Sequence, residues 1–270
     1  FSRGGDFRGR LIPKTPRSAD VRLAQYANAS DPVARSSRAA SAVSAKLLNA
    51  AAVLADIQSN YPGCPELSAA ISEIRRLASG VSACGGPPAL LGLEGTAAKT
   101  YFTALASAFR ADIRFGGRRR RPPPDPANSL LSFGYTLLGN LIAGMLEARG
   151  LDPALGFFHE IRPGRPSLAL DILEEFRSPV VDRFVLRSCN LRVFRPDMFE
   201  GDDERTGGVR LTRDAKKTFF REWERTLASP LRERDADDRP DVFSLLKRQI
   251  ERLVSDLRGG APYAPFRYGG

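Results

Sequence analysis

The side chains best able to do chemistry in this sequence gather around its only histidine. His159 stands in Phe157-Phe158-His159-Glu160, and Leu168-Ala169-Leu170-Asp171-Ile172-Leu173-Glu174-Glu175-Phe176-Arg177 follows it. Asp171 and Glu174 are three apart, so on a helix they share a face and can reach one object. Glu175 could also turn inward. Another carboxylate, Glu94, lies upstream in Gly92-Leu93-Glu94-Gly95-Thr96-Ala97-Ala98-Lys99-Thr100-Tyr101-Phe102. An apolar-flanked imidazole with carboxylates is a mixed nitrogen and oxygen donor set, suited to Mg²⁺ or Mn²⁺. Converging on one ion, these groups would support metal-assisted phosphate chemistry. Each also has a plainer reading. A lone histidine is more often structural, an acidic pair on a helix is more often a solvated face, and Glu94 could serve the dipole of a helix N-terminus.

The elements that would hold these residues are mostly helical. Phe7-Arg8-Gly9-Arg10-Leu11-Ile12 alternates enough for a short strand, which Pro13 and Pro16 then end. Asp31-Pro32 reads as an N-cap with proline at the first helical position. An alanine-rich helix should run from there to about residue 60, burying Val43, Leu47, Leu54 and Ile57. Tyr61-Pro62-Gly63 is a turn, residues 65–79 a second helix, and Gly85-Gly86-Pro87-Pro88 a break. Glu94 should fall near the start of a helix reaching residue 109 or 112. Pro163-Gly164-Arg165-Pro166 opens the helix of Asp171 and Glu174, running to about residue 188. Residues 200–208 read as an acidic loop, and amphipathic helices at 212–227 and 240–257 complete the pattern. No internal repeat is visible.

The net charge of +10 favours a polyanionic partner, nucleic acid being the commonest. Gly116-Gly117-Arg118-Arg119-Arg120-Arg121-Pro122-Pro123-Pro124 forms a basic, proline-rich loop. Three cysteines without a Cys-x-x-Cys pair argue against a disulfide framework or zinc knuckle and suit a reducing cytoplasm. Residues 127–146 carry no charge and are about as long as a membrane span. Polar Asn128, Ser129, Ser132, Thr136 and Asn140 interrupt them, and Gly134, Gly139 and Gly144 permit close helix packing. With no second such stretch in view, the expectation is a buried helix of a helical bundle and no membrane. The opening Phe1-Ser2-Arg3-Gly4-Gly5-Asp6 suggests a fragment or a processed piece.

In one order, the sequence contains Gly92-Leu93-Glu94-Gly95, Asp125-Pro126-Ala127-Asn128-Ser129-Leu130-Leu131-Ser132-Phe133-Gly134-Tyr135, the His159 segment, and the Asp171 to Arg177 segment. This succession resembles the catalytic helical domain of the CRISPR-associated Cas1 integrase family over nearly the whole chain. Pro262-Tyr263-Ala264-Pro265-Phe266-Arg267 looks like that family's ending, and Arg3 to Arg10 is similar to the close of its N-terminal β domain.

The resemblance implies a mainly α fold: a remnant of the β domain and linker over 1–20, a helical catalytic domain over 21–258, and an extended tail over 259–270. It implies metal ligands at Glu94, His159 and Glu174, with Asp171 a helper and Lys99, Tyr135 and Arg177 near the site. Glutamate at 174, where other members carry aspartate, reaches one methylene further. The loop at 118–124 departs from the family in being unusually arginine-rich; from their charge, not from the resemblance, Arg118, Arg119, Arg120, Arg121, Arg162 and Arg165 are read as contacts to the DNA backbone. The implied activity is metal-dependent (Mg²⁺ or Mn²⁺) transesterification, in which the 3′ hydroxyl of a prespacer DNA attacks the repeat boundary in a prokaryotic cytoplasm. The implied partners are double-stranded DNA, the Cas2 protein and a second Cas1 subunit, although most of the dimer-forming β domain is absent here. A fusion with a Cas4 nuclease or a reverse transcriptase would also fit. The rival readings are a casposon-type transposase built on the same domain and a non-catalytic DNA-binding module.

Overall fold

A computed structural model describes residues 18–60, 64–84, 86–119, 122–201 and 208–269. The expected strand at 7–12, the turn at 61–63, most of the β remnant at 1–20, and Arg120 and Arg121 lie outside the described residues. What is described is mainly α, as the sequence predicts.

The scaffold is the long helix α2 (Pro32–Asn60), preceded by the short α1 (Ala19–Ser30). The first individual helix that the sequence reading names starts only after Asp31, inside a helical domain expected from residue 21. α1 escapes it because Ser18 makes no side-chain cap and the helix buries little beyond Val21, Gln25 and Ala29. Pro32, which has no N–H to continue α1, separates the two. Val43, Leu47, Ala50, Leu54 and Ile57 line one face of α2 at helical spacing and are buried. Small alanines on that face let α3 (Pro65–Ser79) and α4 (Pro87–Ser107) pack closely against it. α6 (Ser167–Phe176) and the turn after it cover the rest.

α5 (Pro126–Ala148) is the uncharged helix, started where Asp125 accepts the Asn128 N–H at 2.7 Å. Its Leu130, Leu131, Leu138, Ile142 and Leu146 are fully buried. Of its three glycines, Gly134 is the one packing demands: a Cβ there would sit 2.7 Å from Val181 Cγ1. At Gly139 the nearest atom is 3.8 Å away and at Gly144 the space is open. α2 also reaches the length and apolarity of a membrane span, with the same mean hydropathy of 1.4 as α5. This corrects the expectation of a single such stretch; in the fold half of each apolar window is buried inside the protein.

α6 does not continue directly to residue 188. Pro179 lacks the N–H that would bond the Glu175 carbonyl, and Arg177–Asp182 widens into a π-helical turn before α7 (Arg183–Asn190). The Asn49 side-chain amide of α2 takes up the released Glu175 carbonyl at 2.8 Å. The expected acidic loop at 200–208 is flanked by paired strands: β1 (Phe199–Gly201) lies antiparallel to β2 (Val209–Leu211), with Glu200 opposite Arg210. Residues 202–207 between them are outside the described residues. α8 (Arg213–Leu227) and α9 (Val242–Leu257) follow, capped by Thr212 and Asp241. Phe219 and Trp223 of α8 join Phe184 and Phe194 in an aromatic cluster. The final segment is extended and returns to the core, where Phe266 stacks on Phe176 at 4.6 Å.

Gly134→Ala is expected to destabilise the protein by about 1–3 kcal/mol, because Val181 is fully buried and has no room to move. Gly144→Ala, on open helix surface, should be neutral or mildly stabilising. Equal thermal denaturation midpoints for the two variants would contradict this packing.

Candidate metal centre

Residues from four elements meet where α4 and α6 pack on α2 beside the loop at 156–160. Glu94 lies two turns inside α4, which begins at Pro87. The helix-start reading therefore fails, because a dipole acts mainly within the first turn. Glu174 projects from α6 and is almost wholly buried. Lys46 of α2 stands between the two glutamates, paired with Glu94 Oε1 and 2.6 Å from Glu174 Oε2. The sequence reading missed this lysine. One signal was present: Lys46 shares the helix face of Val43 and Ala50, so its charge had to find partners inside the fold.

His159 is held by Asp171. The Asp171 carboxylate accepts the backbone N–H groups of Phe157 at 2.6 Å, Phe158 at 3.1 Å and His159 at 2.9 Å. It also lies 2.7 Å from His159 Nδ1. With Nδ1 engaged by this carboxylate, Nε2 is the ring nitrogen turned towards another partner. That nitrogen is 4.0 Å from Glu174 Oε1. Gly156 makes the loop's approach feasible, since a Cβ there would stand 2.7 Å from Asp171 Oδ2 and from the Ser167 carbonyl carbon. Asp171, expected as a helper, thus orients the imidazole.

The other neighbours of the site carry distinct loads. Arg177 donates to Glu174 Oε1 at 2.7 Å, and its guanidinium lies 4.1 Å from the centre of the Tyr135 ring. The Tyr135 and Tyr101 hydroxyls both donate to the buried Asp182. Burial by itself would raise the Glu174 carboxyl, but the charges of Arg177 and Lys46 outweigh it and hold Glu174 well below the usual carboxylate range. Burial pushes Asp182 up, and it likewise pushes the Tyr135 phenol up.

Glu175 faces away from Glu174 and is not a solvated residue. Tyr263 O–H donates to it at 2.5 Å and the Phe266 N–H at 2.7 Å, which ties the C-terminal segment onto α6. Lys99 is exposed on α4, five residues beyond Glu94.

Among the described residues, no three His, Cys, Asp or Glu side chains stand as a ready group around a metal ion. The Lys46 ammonium is what joins Glu94 to Glu174. The donor set nevertheless suits a divalent ion, with two carboxylates, one imidazole nitrogen and a pinned ring. Glu174 Oε2 is buried with no aligned hydrogen bond, although Lys46 lies close to it. Both observations hold, because the ammonium is near but off the hydrogen-bonding direction. That oxygen keeps coordinating capacity.

The arginines expected on DNA divide. Arg118 turns inward, donating to Asn128 Oδ1 at 2.9 Å and Ser132 Oγ at 3.1 Å, with its guanidinium 5.3 Å from the Tyr135 ring centre. It braces the loop against α5. Arg119 is exposed, Arg162 is exposed and paired with Glu160 at 2.7 Å, and Arg165, in the same loop as Arg162, is half-buried.

The family described as "CRISPR associated protein Cas1" matches residues 1–225. The chain is 37% identical over 257 residues to the CRISPR-associated endonuclease Cas1 3 of Thermus thermophilus, covering 94% of this chain and 74% of that protein. Its fold is similar to a CAS1 protein from Thermotoga maritima, with TM-score 0.79, 27% identity, and coverage of 99% of this chain and 78% of the other. It is also similar to a casposase bound to its integration product, with TM-score 0.82 over 95% of this chain and 70% of the other. At 23% identity the casposase match shows the fold alone. The chain spans from about half to three quarters of the length of the curated relatives it matches.

Burial pushes the Glu175 carboxyl up to about 8 from its ordinary 4.5, against the hydrogen bonds from Tyr263 and Phe266. The native state then keeps a proton that an unfolded glutamate has lost. Stability from this site is complete below about pH 4.5 and falls as pH rises towards about 8. Glu175→Gln removes the titration, so its unfolding midpoint should fall less than the parent's across that range. Parallel midpoints for the two proteins, followed by urea denaturation against pH, would contradict the assignment.

Proposed function

The chain belongs to the Cas1 family of CRISPR-associated proteins, and from that premise we propose that it is a divalent-metal-dependent DNA integrase of CRISPR adaptation. It joins the 3′ hydroxyl of a prespacer DNA to the repeat boundary by transesterification. The observation that carries this reading is the convergence of Glu94, Glu174 and an Asp171-oriented His159 on one small region. Phosphodiester exchange suits such a site. One ester bond replaces another, so no nucleoside triphosphate is consumed.

Glu94, His159 and Glu174 would hold Mg²⁺ or Mn²⁺, which when bound would polarise the scissile phosphate and favour the attacking hydroxyl. The protein's own groups prepare that arrangement. Asp171 holds His159 by Nδ1, so that Nε2 faces Glu174. Arg177 fixes one oxygen of Glu174 and leaves the other directed toward Lys46. Phe157 and Phe158 next to His159 and Leu173 next to Glu174 are buried, and a drier surrounding strengthens the charge interactions there.

The net charge of +10 supports a polyanionic substrate, with Arg119, Arg162 and Arg165 in reach of solvent for backbone contacts. The partners proposed are double-stranded DNA, the Cas2 protein and a second Cas1 subunit. The CRISPR reading is preferred to a casposon-type transposase because the sequence likeness runs to named CRISPR-associated endonucleases, whereas the casposase shares the fold.

His159→Ala should lower Mn²⁺-dependent half-site integration, assayed with Cas2 present, by more than about a hundredfold while keeping the fold and DNA affinity. Undiminished strand transfer by this variant would reject the assignment. DNA affinity of the parent should also drop steeply, by roughly a hundredfold or more, between roughly 50 and 200 mM salt. A flat salt profile would argue against a nucleic-acid substrate.

A further inference from the structure

Lys46 makes no charge pair on its own helix. The residues three and four positions away are Val43, Asn49, Ala42 and Ala50, none of them acidic. Its countercharges come from two other helices, Glu94 of α4 and Glu174 of α6. Its side chain is 13% exposed, so the stem is packed while the ammonium keeps a route to solvent. Glu174 is therefore gripped by two cations of unlike character. Arg177 is fixed by a directed bond to Glu174 Oε1 and by the Tyr135 face. Lys46 is a flexible, compact point charge lying off the hydrogen-bonding direction of Glu174 Oε2. Of the two, Lys46 is the one that can leave. A cavity of about 40 Å³, lined by Lys46, Glu94, Ala98, Tyr101 and Arg177 among others, gives its stem somewhere to move.

We propose that Lys46 is a built-in counter-cation, which holds Glu94 and Glu174 together until a divalent ion exchanges for it. The inference rests on the metal-centre reading above and adds to it a resident competitor. Two carboxylates brought together in a buried site would repel, and their repulsion would push apart α4 and α6, which both pack on α2. The ammonium removes that strain and keeps the ligands in place. Exchange then has two consequences. Apparent metal affinity is lower than the donor set alone would provide, because each binding event must first displace Lys46. The local charge also rises by one unit, which favours arrival of an anionic DNA backbone only after the ion is in place.

The test is Mn²⁺ titration by calorimetry of the parent, Lys46→Met and Glu94→Gln, with thermal denaturation in EDTA and in Mn²⁺. Lys46→Met keeps the stem and removes the charge. It should bind Mn²⁺ at least about tenfold tighter than the parent, melt lower in EDTA, and gain more from Mn²⁺. A second measurement needs no variant: labelling of Lys46 by an amine-reactive ester, read by mass spectrometry, should rise severalfold when Mn²⁺ is added. If the parent binds Mn²⁺ and Glu94→Gln weakens it, but Lys46→Met binds no tighter and the labelling is unchanged, the exchange is overturned while the metal centre stands. If neither the parent nor Lys46→Met binds Mn²⁺, the metal centre itself is overturned and the exchange with it.

Discussion

The arrangement depends on how an ionised Glu174 is tolerated inside a helical core. A bare carboxylate there would cost several kcal/mol or take up a proton, so the surrounding structure has to supply compensating charge. It does so from two directions. Arg177 comes from the same chain segment, one helical turn on, and Lys46 comes from α2 across the helix crossing. Two neighbouring acids in the same helix are handled differently. Asp171 is satisfied by three backbone N–H groups and an imidazole, and Glu175 is held protonated by burial and ties down the C-terminal segment. Three carboxylates within five residues thus have three environments and three roles.

The π-helical turn links these roles. Pro179 opens the ladder, Asn49 takes the carbonyl that is released, and the same Asn49 bonds the Phe266 carbonyl at 2.9 Å and the Tyr268 N–H at 2.9 Å. The C-terminal segment, the π turn and α2 are therefore fastened at one amide. On the opposite side of the turn, Asp182 gathers the hydroxyls of Tyr101 and Tyr135, and the Tyr135 ring backs Arg177. A chain of contacts runs from α4 and α5 through Arg177 to Glu174. Rigidity of this kind is what a site needs if its donor atoms are to keep a narrow geometry.

Family membership and fold do not carry the same weight. A casposase and a CAS1 protein share this architecture at TM-scores of 0.82 and 0.79, so the helical frame is compatible with more than one biological setting. What bears on function in this chain is local: an arginine-braced glutamate, an aspartate-held histidine and a lysine between two acids. Function is argued from such a site, and the fold supplies its positions.

The sequence by itself determined the helical class, most helix starts and the residues worth watching. Apolar periodicity, N-caps such as Asp125 and Asp241, and prolines at helix starts are local signals, legible over a few neighbours. The resemblance of ordered motifs singled out Glu94, His159 and Glu174. Only the tertiary structure decided what each charge meets. Lys46, Glu94 and Glu174 are far apart in sequence, and an ion pair among three helices leaves no periodic trace. The inward turn of Arg118 was equally hidden, because Ser132 and Tyr135 recruit it across a loop that composition marks as exposed. Strands β1 and β2, at three residues each, were too short for alternation to register. Spacing encodes which face a side chain takes, but the partner that gives the charge its role is set by where distant helices cross.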